Sequence, residues 1–127
     1  MVNTYPVRAQ GTSTILVVDD DQDIRLSLRM LLEDEGYGVH EAANGLEALG
    51  VLREIPLPSL MLVDLRMPVM DGVELIHVLR RDARFAGIPL LGLSAASTVD
   101  APDGVTLLAK PIGIDALLDA VRLSARS

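Results

Sequence analysis

The chain has no cysteine, a single lysine and three aromatic residues, Tyr5, Tyr37 and Phe85. Without thiols there is neither a disulfide framework nor a thiolate metal site, which suits a reducing cytoplasm. With so few rings, and half of the residues hydrophobic, the core must be aliphatic. Such a core suits buried parallel strands covered by helices on both faces. No apolar run is long enough to cross a bilayer, and residues 1–13 lack the apolar core of a signal peptide. We therefore expect a cytoplasmic protein without a membrane partner. The net charge of −7 argues against nucleic acid as a direct ligand, because phosphate backbones need clustered Lys and Arg. Arg66, Arg80, Arg81 and Arg84 share one stretch but read as a solvated helix face. A length of 127 residues fits one domain. The expected organisation is a flexible N-terminal tail over residues 1–13 and one folded unit over 14–127, with no output domain after it.

Two kinds of apolar pattern alternate along the chain. Short unbroken runs occur at Ile15–Val18, Leu60–Val63, Ile88–Leu93 (interrupted by Pro89 and Gly92) and Val105–Ala109. Each predicts a strand buried on both faces. Val39–Ala43 is weaker, with His40 and Glu41 inside it, and is expected at a sheet edge. Between the runs lie helical patterns. Ile24, Leu28, Leu31 and Leu32 form one stripe, with Arg25, Arg29 and Glu33 opposite, and Ile114, Leu117, Leu118 and Val121 form another. Asn44 and Asp71 have the character of N-caps, each followed three residues later by Glu47 or Glu74 in capping-box spacing. This alternation predicts an α/β fold with a doubly wound parallel sheet.

In such a sheet ligands bind at the carboxyl ends of the strands. Strand one ends in Asp19-Asp20-Asp21, strand three in Asp64, strand four in Ser94, and strand five in Lys110-Pro111. Singly, each residue has an ordinary explanation as a cap, a turn residue or a solvated hydroxyl, and Asp21 is expected to cap the first helix. Together they bring carboxylates, a hydroxyl and an ammonium to one edge. Lys110 is the only lysine, and Pro111 makes a cis peptide bond available to orient it. Three clustered carboxylates repel one another and invite a cation. Oxygen-only ligands point to a hard one, Mg²⁺. Asp64, on a strand expected to be central, is the candidate nucleophile towards phosphorus, with Asp19 and Asp20 holding the metal. Lys110 and Ser94 would stabilise the charge on a transferring phosphoryl group.

The segments ILVVDDDQDIR, LMLVDLRMPVMDG, LSAAS and AKP, in this order, resemble the receiver domains of bacterial two-component response regulators, within the chemotaxis-regulator-like superfamily. The resemblance covers residues 14–124. It implies a five-stranded flavodoxin-like sheet in the order 2-1-3-4-5 and a phosphoacceptor at Asp64. It further implies Mg²⁺ ligation by Asp19, Asp20, Asp64 and the backbone carbonyl of Arg66, a switch hydroxyl at Ser94 and phosphate binding by Lys110. The implied partners are a histidine kinase or histidine phosphotransfer protein and a downstream protein. Such a chain is a monomer or weak dimer, and is no enzyme beyond self-phosphorylation from a donor and autodephosphorylation.

Two departures qualify the resemblance. The aromatic residue usual three positions before the lysine is replaced by Leu107, so the family's hydroxyl-to-aromatic coupling cannot operate as such. Residues 95–104 are also too few and too weakly patterned for a stable amphipathic helix. The fourth helix is therefore expected to be shortened or missing, and the family's dimer through that surface unused. Three functions follow: a phosphorylatable switch (including a phosphate sink or shuttle), a constitutive interaction module, and a hydrolase of small phosphoesters. The last is disfavoured by Arg66, two residues after Asp64, where such hydrolases carry a second Asp. His40 and His77 read as surface residues, Met67 and Met70 as packing, and the first helix, with Leu26 and Met30, as the kinase-facing surface.

Overall fold

The computed structural model describes residues 13–95 and 102–125. The elements run β1 (Thr14–Val18), α1 (Gln22–Asp34), β2 (Gly38–Ala42), α2 (Gly45–Glu54), β3 (Leu60–Asp64), α3 (Gly72–Arg81), β4 (Leu90–Ser94), β5 (Thr106–Ala109) and α4 (Ile114–Ser124). All paired strands are parallel, in the expected order β2-β1-β3-β4-β5. The register aligns their carboxyl ends: Val18 lies beside Ala42 and Val63, Asp64 beside Leu93, and Ser94 beside Ala109.

Successive strand residues face opposite sides of the sheet, and both sides are covered. Ile15, Val17, Leu60, Leu62, Leu91 and Leu93 meet Leu28 and Leu32 of α1 and Leu117 and Val121 of α4. Leu16, Val18, Met61 and Val63 meet Ala48 and Leu52 of α2 and Leu75 and Leu79 of α3. Burial on both faces is why the strands read as unbroken apolar runs rather than as alternation. Met67 and Met70 pack at the edge of the second cluster, as expected.

The helix starts follow the cap signals. The Asp21 carboxylate accepts from the amides of Asp23 and Ile24 at 2.9 and 3.2 Å. Asn44 accepts from the Glu47 amide at 2.8 Å. Asp71 and Glu74 bond each other's backbone amides at 2.9 and 3.2 Å, a complete capping box.

Three expectations need correction. β4 starts at Leu90 rather than Ile88, because Pro89 cannot donate to a ladder; its carbonyl accepts from Met61 at 2.9 Å instead. The Val105–Ala109 run is not a buried strand. β5 is the sheet edge, and of its residues only Leu108 is half-buried, against the α1/α4 side. On the other face Leu107 lies over Gly92, where an added Cβ would come within 2.6 Å of its Cδ2. Third, Arg25 and Arg29 do not simply form a solvated stripe. Both guanidinium groups turn to Glu41 of β2, which makes the charged residue of that edge strand a tie between elements. The shortened fourth helix was expected over 95–104, and residues 96–101 of that segment lie outside the described residues. Among the described residues no helix separates β4 from β5. Pro102–Val105 form a turn closed by the Val105 amide on the Pro102 carbonyl at 3.2 Å, with the Arg80 guanidinium donating to the Asp103 carbonyl.

Candidate functional site

Three strand ends, those of β1, β3 and β5, converge on one acidic cluster. One carboxylate oxygen from each of Asp19, Asp20 and Asp64 lies within 4.8 Å of the others. Asp19 is fully buried and Asp64 nearly so, whereas Asp20 is exposed. Lys110 reaches in from the end of β5. Its Nζ donates to Oδ2 of Asp19 and Oδ2 of Asp64, both at 3.0 Å. The remaining oxygens are held by main chain: Asp19 Oδ1 accepts from the Asp21 amide at 2.9 Å, and Asp64 Oδ1 from the Arg66 amide at 3.0 Å.

The electrostatics follow from this arrangement. Burial raises the Asp64 carboxyl above its ordinary range, and the neighbouring Asp19 charge adds to the rise. The Arg66 amide and Lys110 oppose it without cancelling it. Burial would lower Lys110, but the carboxylates of Asp64 and Asp19 outweigh that and hold the ammonium above its usual value. With all groups ionised the formal sum of three carboxylates and one ammonium is −2. A dication with a preference for oxygen donors, such as Mg²⁺, would match both the charge and the donor set.

Local backbone positions these groups. The Lys110–Pro111 peptide bond is cis, as anticipated, and the Lys110 amide donates to the Ser94 carbonyl at 2.8 Å. Ser94 is buried at the end of β4. The loop after Asp64 carries Val69 at φ +70°, a left-handed conformation. It then re-enters the fold at Gly72, where a Cβ would stand 2.4 Å from the Asp64 carbonyl oxygen and 2.8 Å from Leu65 Cα. Only glycine lets α3 start against the end of β3.

Asp19, Asp20, Asp64, Ser94 and Lys110 stand at this sheet edge. Arg66 enters it through its amide. Leu107 lies two residues before the strand end, partly exposed. His77 is exposed on α3, and His40 is half-buried in β2. Sequence reasoning missed two contributors. Gly72 follows the Asp71 cap, and nothing in the sequence pattern signals its close approach to β3. Arg25 was placed on a polar stripe, yet its Nη1 donates to the Asp19 carbonyl at 2.6 Å and its Nε to Glu41 at 3.1 Å. The available signal was a charged residue inside β2 beside two arginines one turn apart on α1.

Residues 15–122 match the Response regulator receiver domain family. The chain belongs to that family. An uncharacterised 14.6 kDa protein of Leptolyngbya boryana is 49% identical over 81 residues, which cover 64% of this chain and 61% of that one. The sporulation initiation phosphotransferase F of Bacillus subtilis is 35% identical over 114 residues, covering 85% of this chain and 90% of its relative. Among solved structures, the chemotaxis protein CheY4 of Vibrio cholerae superposes with a TM-score of 0.78 at 30% identity, covering 90% of this chain and 99% of that one. The chain thus spans less than two thirds of the Leptolyngbya protein but nearly all of the other two.

Proposed function

We propose that this receiver domain is a Mg²⁺-dependent phosphoacceptor that takes a phosphoryl group on Asp64 from a histidine kinase or histidine phosphotransfer protein, and signals by protein contact. The observation that carries the reading is the convergence of Asp19, Asp20 and Asp64 within 4.8 Å, with Lys110 Nζ 3.0 Å from two of them. Asp19, Asp20, Asp64 and the Arg66 carbonyl would hold the metal. Bound Mg²⁺ supplies positive charge for the phosphoryl oxygens.

An Asp64 carboxylate oxygen forms the new bond to phosphorus. The P–N bond to the donor imidazole breaks, its electron pair staying on nitrogen, and an acyl phosphate remains on Asp64. Lys110, now shared by two carboxylates, exchanges one of them for a phosphoryl oxygen, and the Ser94 hydroxyl donates to another. The name of the Bacillus relative, a phosphotransferase, supports a relay or shuttle role. Leu26 and Met30, 53% and 63% exposed on α1, support that helix as the donor-facing surface.

Intact-mass spectrometry after incubation with acetyl phosphate tests the assignment. One added phosphoryl group is expected, absent in Asp64→Asn and absent when Mg²⁺ is chelated. A second reading, a constitutive interaction module, draws on Leu107 in place of a switching ring. It would be preferred if the wild type gains no mass, or if a partner binds both forms equally.

A further inference from the structure

Asp20 is the exposed member of the acidic cluster, so its direction must come from the backbone. Its neighbour is fixed on nearly every side. The Asp19 amide donates to the Ala42 carbonyl at 3.1 Å, Oδ1 accepts from Asp21 at 2.9 Å, and Oδ2 accepts from Lys110 at 3.0 Å. What remains is the plane of the peptide joining Asp19 to Asp20. The Asp19 carbonyl and the Asp20 amide belong to that one rigid unit, so holding the carbonyl fixes the direction in which the chain enters Asp20. Arg25 holds it, through Nη1 at 2.6 Å.

Arg25 is itself anchored. Its Nε donates to Glu41 Oε1 at 3.1 Å, and its side chain is only 15% exposed. Glu41 sits in β2, one residue before the Ala42 whose carbonyl holds the Asp19 amide. The planar guanidinium with its rigid fork of donors spans carbonyl and carboxylate together. Arg29 shares Glu41 but makes its main-chain contact with the Val39 carbonyl, at 3.1 Å, remote from the acidic turn.

We infer that Arg25 is a positioning residue for Mg²⁺ binding: braced on Glu41, it fixes the Asp19–Asp20 peptide plane and so aims the Asp20 carboxylate at the metal. The inference rests on the metal-dependent reading above. Replacing Arg25 by an uncharged residue would mix lost positioning with a changed field, since removing a cation favours a dication. Arg25→Lys keeps the charge and loses the fork.

The experiment is isothermal titration of Mg²⁺ into the wild type, Arg25→Lys, Arg29→Lys and Asp20→Asn, well below each melting midpoint. Arg25→Lys is expected to weaken Mg²⁺ about tenfold, in the range of losses when a metal ligand's supporting partner is removed. Arg29→Lys, which disturbs the same ion-pair group, is expected to stay within about twofold. Wild-type affinity in Arg25→Lys, or equal weakening in Arg29→Lys, overturns the positioning role while leaving the metal site standing. Absence of wild-type binding that Asp20→Asn abolishes overturns both. If Arg25→Lys does not fold, Glu41→Asp, which keeps the charge and shortens the brace, decides: about tenfold weaker binding supports the inference, and unchanged binding refutes it.

Discussion

Val69 has a β-branched side chain in a left-handed backbone conformation, φ +70°, and is 75% exposed. A left-handed non-glycine residue costs about 1–2 kcal/mol, and branching at Cβ makes it a genuine outlier. Little packing opposes this cost. Fully burying a valine side chain stabilises by about 1.5–3 kcal/mol, so the quarter that is covered contributes roughly 0.5. Relief of strain therefore outweighs lost contact, and Val69→Asn should stabilise the fold by about 1 kcal/mol, because asparagine tolerates this region. Unfolding entropy of about 2.1 cal/mol/K per residue, over 127 residues, converts that into a rise of about 4 °C in Tm. Val69→Gly relieves the same strain but gives back about 0.5–1 kcal/mol of unfolded-chain entropy, so its gain should be smaller. Val69→Ile, branched alike, should change nothing. Calorimetric melting of the four proteins in metal-free buffer checks the series. A Val69→Asn protein no more stable than wild type would refute the strain argument.

Three further outcomes are expected. Gly72→Ala forces a methyl into the Asp64 carbonyl and Leu65 Cα and should cost about 3 kcal/mol in denaturant unfolding; a loss under about 1 kcal/mol would show that α3 moves aside freely. Asp64→Asn should raise metal-free stability at neutral pH. With the folded-state carboxyl raised by burial, ionised Asp64 destabilises the fold above its folded pKa, and the penalty is absent below its ordinary value near 3.8. The Tm gap between mutant and wild type should therefore close as pH falls from 7 to below that value, and a widening gap would reverse the sign. Mg²⁺ at a hundred times its Kd should stabilise the wild type by about 2.7 kcal/mol, an effect missing in Asp20→Asn and reversed by chelation.

The sheet and its site were legible because one physical cause wrote both. Strands buried on two faces must be continuous apolar runs, so the first polar residue after each run marks a carboxyl end, and Asp19, Asp64 and Ser94 are those residues. Helix starts were legible through Asp21, Asn44 and Asp71, whose side chains replace missing intrahelical partners. The exposure of β5 was hidden because Leu107 and Leu108 read alike, although one packs into the core and the other lies over Gly92. Gly72 and Arg25 were hidden for a different reason. Their roles depend on distances between segments, and periodicity along a chain reports which face a residue takes but not what stands opposite.

Lys110 lies 91 residues from Asp19 and 46 from Asp64, at the end of an exposed edge strand that, among the described residues, pairs only with β4. Such a strand would ordinarily be the first to fray. Here fraying would withdraw the ammonium and leave Asp19 and Asp64 facing each other, buried, without a compensating charge. The last strand is thus tied to the first by charge balance as well as by its ladder, so loss of the edge penalises the centre of the sheet. Folding cooperativity is built through the same three side chains that form the acidic site, and any cation or phosphoryl group that releases Lys110 from its carboxylates also alters how firmly the carboxyl-terminal strand is held.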